Sequence, residues 1–223
     1  MKTSFHILTI LILASFQTVF GQSTKSDTIY IQKDSLRGFS QSIFIETNKN
    51  SKFYDDITSF EFGEFETESY NNSLDYLKLH HIKLKKEKTI LPSIKWIPLE
   101  QYKGQLYVYH PCDFNSYYKV SINDTTYIDW TGEGPIANKI VYQRKINDNI
   151  FEIKTTGIEN KNRVITIRII DKEKGIAIFG NRQVMIMSNK IKSVPFIVHN
   201  CEQQKEVELK FEEPNIEKLL KTK

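Results

Sequence analysis

Between residues 104 and 187 large apolar side chains recur with a period of two, and turn-forming clusters interrupt them roughly every 8–12 residues. The alternation is cleanest at Ile165, Ile167 and Ile169, which share one face of an extended chain while Thr166 and Arg168 share the other. A helix would scatter those isoleucines around its circumference. Residues 140–143 and 151–154 alternate in the same way, around a turn at Asn147-Asp148-Asn149. Residues 105–110 and 184–187 are apolar on both faces, which predicts strands covered on both sides. Residues 117–122 and 125–130 flank Asn123-Asp124 as a hairpin, and Gly132-Glu133-Gly134-Pro135 breaks the pattern that follows. Residues 176–179 form a further strand between turns at 171–175 and 180–181.

The first third carries a weaker pattern. Residues 27–32 and 42–47 read as strands joined through Arg37-Gly38. Residues 59–65 alternate phenylalanine with glutamate until Gly63 shifts the phase, which predicts a bulged acidic strand. Residues 78–88 are basic, and opposed charges predict that the two segments pair side by side. A short helix is placed at residues 74–80, behind Asn72-Ser73, and Pro92 and Pro98 mark a connection around Trp96. Beyond residue 188, residues 194–199 and 206–211 read as strands, and 214–221 as a terminal helix opened by proline.

These elements predict an all-β, mainly antiparallel fold of about ten strands with a short C-terminal helix. The strand spacing is similar to that of an eight-stranded, lipocalin-like barrel; a two-sheet sandwich is the alternative. The Gly-x-Trp signature of the lipocalin opening strand is absent, since Ser93-Ile94-Lys95 precedes Trp96, so no membership of that family follows. The chain divides into residues 1–21, an N-terminal β-rich region at 22–103 belonging to the same domain, the meander at 104–212, and a helical tail at 213–223.

Residues 1–21 change the picture of location. Lys2 and the short apolar run at 7–16 read as a cleavable signal peptide ending at Gly21, which predicts a secreted or periplasmic protein. No later apolar run is long enough for a transmembrane helix. The whole chain carries 31 basic and 27 acidic residues, a balance that argues against a nucleic-acid partner. With 39% hydrophobic residues, the chain has ample material for a packed core.

The chemistry is sparse. Cys112 and Cys201 are the only cysteines, and an oxidising compartment predicts a disulfide between them. The repeated His-x-Cys of His110-Pro111-Cys112 and His199-Asn200-Cys201 offers a two-nitrogen, two-sulfur zinc set as the alternative. The adjacent His80 and His81 diverge in either a strand or a helix, so they read as a surface pair. No nucleophile elbow, phosphate loop or cofactor motif is present, and a non-catalytic protein without a cofactor is expected. Asp129 and Glu133 are the carboxylates that a glycan hydrolase would use. Aromatic residues crowd the first half of the meander, and Tyr107, Tyr109, Trp130 and Tyr142 are the expected lining of any ligand pocket. The leading expectation is a binding module for an apolar or amphipathic small molecule. A structural or interaction domain of the cell envelope, with an envelope protein as partner, is the second.

Overall fold

The computed structural model describes residues 28–36, 39–113, 117–158, 161–201 and 209–221. The predicted signal peptide lies outside them. Strands β1 (Ile29–Leu36) and β2 (Phe39–Glu46) form a hairpin, followed by helices α1 (Lys52–Thr58) and α2 (Glu64–Leu79). Next come β3 (Lys95–Tyr102), β4 (Gln105–His110), β5 (Lys119–Ile122), β6 (Thr126–Thr131) and β7 (Gly134–Asn147). Strands β8 (Ile150–Thr156), β9 (Arg163–Asp171), β10 (Ile176–Phe179) and β11 (Gln183–Met187) complete the meander. A 3-10 helix (Ser188–Ser193), β12 (Phe196–Cys201) and helix α3 (Ile216–Lys221) end the described chain.

Eight strands close a barrel in the order β3-β11-β10-β9-β8-β7-β6-β5, with β5 returning to pair with β3. The barrel, rather than the sandwich, is the form adopted. Strands β4, β12, β2 and β1 continue outward from β3 as a four-strand extension, in which β4 and β12 run parallel. β4 thus leaves the meander that the sequence pattern assigned it to. Pro98 lies inside β3 without breaking it. On one side β3 pairs with β5 at Lys95 and Trp96, then with β4 from Leu99 onward, and Pro98 occupies the gap where no N–H is required.

Period two decides which side chains enter the barrel. Ile165, Ile167 and Ile169 face inward with Phe151, Ile153, Ile140, Tyr127, Phe179, Met185 and the fully buried Trp96. Each such isoleucine contributes about 1.5–3 kcal/mol by leaving water, and together these side chains fill the lumen. The opposite faces of β3, β6 and β11 present Ile97, Ile128, Trp130 and Ile186 to a second core. That core is covered by Tyr54 and Ile57 of α1, by Phe60, and by Phe196 and Val198 of β12. Ile43, Tyr107 and Ile197 make a third cluster on the far side of the extension, where Leu209 and Phe211 pack. Residues 209–211 are not a strand, although Glu212 bridges to Gln101; the rest of that predicted strand, residues 206–208, lies outside the described residues.

The predicted acidic strand at 59–65 and its basic partner at 78–88 are corrected. Residues 59–63 are irregular, α2 follows, and the basic segment is the end of α2 and a loop. The Glu66 carboxylate accepts the Gly63 N–H at 3.1 Å, and Glu64 and Glu66 place negative charge at the positive end of the helix dipole. Tyr70, Ser73 and Leu77, spaced by three and four, turn toward the barrel. Gly134 takes a positive φ of 97°, and a Cβ there would stand 2.6 Å from Ser69 Oγ, so glycine lets α2 approach β7.

Ser73, 2% exposed, accepts the Ala137 backbone N–H at 2.8 Å. Ser73→Ala is expected to cost about 1–3 kcal/mol in urea unfolding, the penalty for a buried unpaired N–H. An unchanged midpoint would show that the N–H finds another acceptor.

Candidate functional site

Two polar constellations stand out, one inside the barrel and one on its flank. Inside, the inward register of β6 places Asp129 two residues beyond Tyr127, at one mouth of the barrel. Its carboxylate accepts from Tyr118 Oη at 2.8 Å, Asn138 Nδ2 at 2.9 Å, and Arg163 Nη2 and Nη1 at 2.7 and 3.3 Å. The Arg163 guanidinium also lies 4.8 Å from the Tyr127 ring centre. Burial, with the neighbouring Tyr127 and Asp129, holds the Tyr118 hydroxyl protonated far above the ordinary tyrosine range. Four donors on two oxygens make this a polar knot on the inner face of β6, with Arg163 partly open to solvent.

The flank holds a cleft of about 430 Å³. Its floor is the outer face of the β5–β6 hairpin and the start of β7, with Lys119, Trp130 and Pro135. Phe65 and Glu66 of α2 form one wall, and Asp56, Ser59 and Glu61 another. Pro111, Cys112 and Asp113 form the rim. Apolar surface from Trp130, Phe65 and Pro135 therefore meets four carboxylates, those of Asp56, Glu61, Glu66 and Asp113.

Lys119 is 3% exposed. Alternation puts it on the outer face of β5, opposite Trp130 of β6. Its Nζ lies 4.5 Å from the Phe60 ring centre, 4.9 Å from Tyr117 and 5.1 Å from Trp130, three sides of an aromatic box. It donates to the Ser59 carbonyl and, at 2.8 Å, to Tyr117 Oη. Among the described residues it has no carboxylate within 4.0 Å. Burial lowers its pKa to about 8; Glu66 opposes the shift and Lys95 adds to it. Burial, with help from Asp56, pushes the Tyr117 hydroxyl up to about 12, so it stays a proton donor at neutral pH. That hydroxyl donates to the Asp56 carbonyl at 3.4 Å.

The sequence-predicted residues are not gathered in one place. Trp130 lines the cleft, and its Nε1 donates to Ser121 Oγ at 2.8 Å. Tyr107 is buried in the third cluster, on the far side of the extension. Tyr109 faces the same side, its ring 4.8 Å from Phe211 and its hydroxyl 3.3 Å from His199 Nδ1. Tyr142 stands on the β7–β8 hairpin and donates to Glu152 at 2.7 Å. Asp129 is enclosed in the knot while Glu133 is exposed at the β6–β7 turn, so they do not face each other across a cleft.

Cys112 and Cys201 form a disulfide, with Cα atoms 6.0 Å apart. Both sulfurs of the alternative zinc set are therefore committed. The parallel register sets His110 beside Val198, not His199, so the two imidazoles occupy opposite faces of the extension. His110 lies against Phe53, 5.3 Å between ring centres, and its Nε2 is 3.9 Å from Asp56. His199 Nε2 takes Gln41 Nε2 at 2.5 Å. Among the described residues no group of three or more His, Cys, Asp and Glu side chains is arranged to hold a metal.

Lys119, Phe60, Phe65 and Glu66 were not singled out by sequence. Lys119 sits between Tyr118 and Val120 with nothing local to mark it as buried. The spacing of Phe60, Phe62 and Phe65 was the one signal available, and it reads equally as strand alternation.

No protein-family model, curated protein or solved structure matches the chain, so its functional reading rests on this geometry.

Proposed function

We propose that the protein is a secreted or periplasmic, non-catalytic binding module that holds a small amphipathic molecule in the cleft on the flank of its barrel. The observation that carries this reading is the cleft itself, where an aromatic floor faces four carboxylates outside a lumen already filled by side chains. The ligand's apolar body would lie on Trp130 and Phe65. Its polar end would be uncharged or cationic, because the carboxylates repel an anion. The cleft is braced from two sides, by Lys119 bonded to residue 59 and by the disulfide at Cys112. The disulfide also fits an oxidising compartment, and among the described residues no helix is long and apolar enough to cross a membrane.

The test is a titration followed at the two indole N–H resonances, Trp96 and Trp130, with benzyltrimethylammonium, benzyl alcohol and benzoate. The cation and the alcohol are expected to shift Trp130 saturably, and benzoate is not. Glu66→Gln is expected to weaken the cation by about two- to fivefold, the worth of one partly solvated charge contact. Saturable shifts confined to Trp96 would place the ligand in the barrel, and no shift at either indole would remove the binding reading.

One observation favours an interaction domain as the second reading. Among the described residues β1 pairs with β2 alone, and it exposes Ile29 and Tyr30, each more than half accessible, at the outer edge of the extension. An envelope protein could add a strand there.

A further inference from the structure

A buried lysine usually has a carboxylate beside it, because a lone ammonium loses its hydration without compensation. Lys119 has instead a carbonyl, a hydroxyl and three aromatic faces, and it lies in the floor of the cleft. Burial without an adjacent carboxylate outweighs the aromatic and hydrogen-bond contacts that favour the ammonium, and so raises the share of neutral amine, the nucleophilic form. We propose that Lys119 is a covalent capture site, whose amine condenses with the carbonyl carbon of a small aldehyde or ketone seated in the cleft. This rests on the cleft being a ligand site and names the class of ligand it takes.

The step balances without an oxidant or reductant. The Nζ lone pair attacks the carbonyl carbon and forms the N–C bond of a carbinolamine. Nζ gives up two protons, the carbonyl oxygen leaves as water, and a C=N bond remains. Tyr117 Oη, 2.8 Å from Nζ, can turn its proton from the long 3.4 Å bond to the Asp56 carbonyl onto the carbinolamine oxygen, and its pKa of about 12 keeps that proton in place at neutral pH. The aromatic box limits water at the C=N bond and so slows hydrolysis. The carboxylates that line the cleft select against carbonyl compounds that are themselves anionic.

The bland alternative is that Lys119 merely pins residues 59–62 to the barrel wall. The two are separated by reductive trapping. The intact protein is incubated with propionaldehyde, or with anionic glyoxylate, in the presence of cyanoborohydride, and modified lysines are located by chymotryptic peptide mapping. Exposed Lys83 is the internal reference. Propionaldehyde is expected to modify Lys119 at least tenfold faster than Lys83, and glyoxylate is expected to show no such preference. The Lys119 rate should rise with pH to a half-maximum near 8, where its amine loses the proton. Tyr117→Phe is expected to slow trapping at Lys119 by about tenfold or more, with Lys83 unaffected. Lys119→Arg removes the modified peptide. Trapping at Lys119 no faster than at Lys83, with Trp130 still responding to benzyl alcohol, would overturn capture and leave the binding cleft standing. Failure of both trapping and the Trp130 shifts would overturn the two together.

Discussion

Replacing Asp129 with alanine is expected to lower the unfolding free energy by about 3–5 kcal/mol, measured by chemical denaturation. The size follows from what the carboxylate leaves behind. Its two oxygens accept from Tyr118, Asn138 and both terminal nitrogens of Arg163, in a site where Asp129 is 7% exposed. Alanine would leave the Arg163 guanidinium and the Tyr118 hydroxyl without their carboxylate, while Asn138 Nδ2 keeps the Tyr127 and Ile136 carbonyls as acceptors. A charge deprived of its partner costs far more than a salt bridge contributes, and this asymmetry makes Asp129 a larger liability than any exposed pair. The Lys145–Asp148 pair, 2.6 Å apart but open to water, is the control. Removing it is expected to leave the unfolding midpoint essentially unchanged. A loss at Asp129 no larger than the control would mean that water reaches the knot.

The double replacement of Cys112 and Cys201 by serine is expected to cost about 4–5 kcal/mol. The half-cystines are separated by 89 residues, and cross-linking so long a segment removes many conformations from the unfolded chain. The bond joins the exit of β4 to the end of β12, parallel neighbours with no short connection between them. Because Cys112 is part of the rim, benzyl alcohol should also bind more weakly to the serine variant at a temperature where it remains folded. The readouts are the denaturation midpoint and the Trp130 titration. A midpoint unchanged by the double replacement would show that strand pairing alone fixes the extension.

The meander was legible because burial on one face of a strand writes itself as period two. Ile165, Ile167 and Ile169 declared both the strand and its inward face, and Asn147-Asp148-Asn149 and the residues around Gly175 and Gly180 declared its turns. Helix α2 was not legible as such. Its first residues continue an alternation of phenylalanine and glutamate, and the helical spacing of Tyr70, Ser73 and Leu77 begins only after that misleading start. Pro98 likewise argued for a connection, since local rules do not reveal that the neighbouring strand changes at that residue.

The candidate site shows the same division. Trp130 could be picked out by its type, and the cysteine pair by its compartment and its number. Lys119 could not, because alternation tells which side chains share a face and says nothing of what covers it. One face of β5 and β6 closes the lumen and the other meets α1, α2 and residues 59–62. Sequence by itself determined the strands of the meander, their turns and the pairing of the two cysteines, all of which depend on near neighbours or on counting. Closure of β5 onto β3, the opposed faces of His110 and His199, and the burial of Lys119 among Phe60, Tyr117 and Trp130 were decided by tertiary structure, because each depends on contacts between segments far apart in the chain.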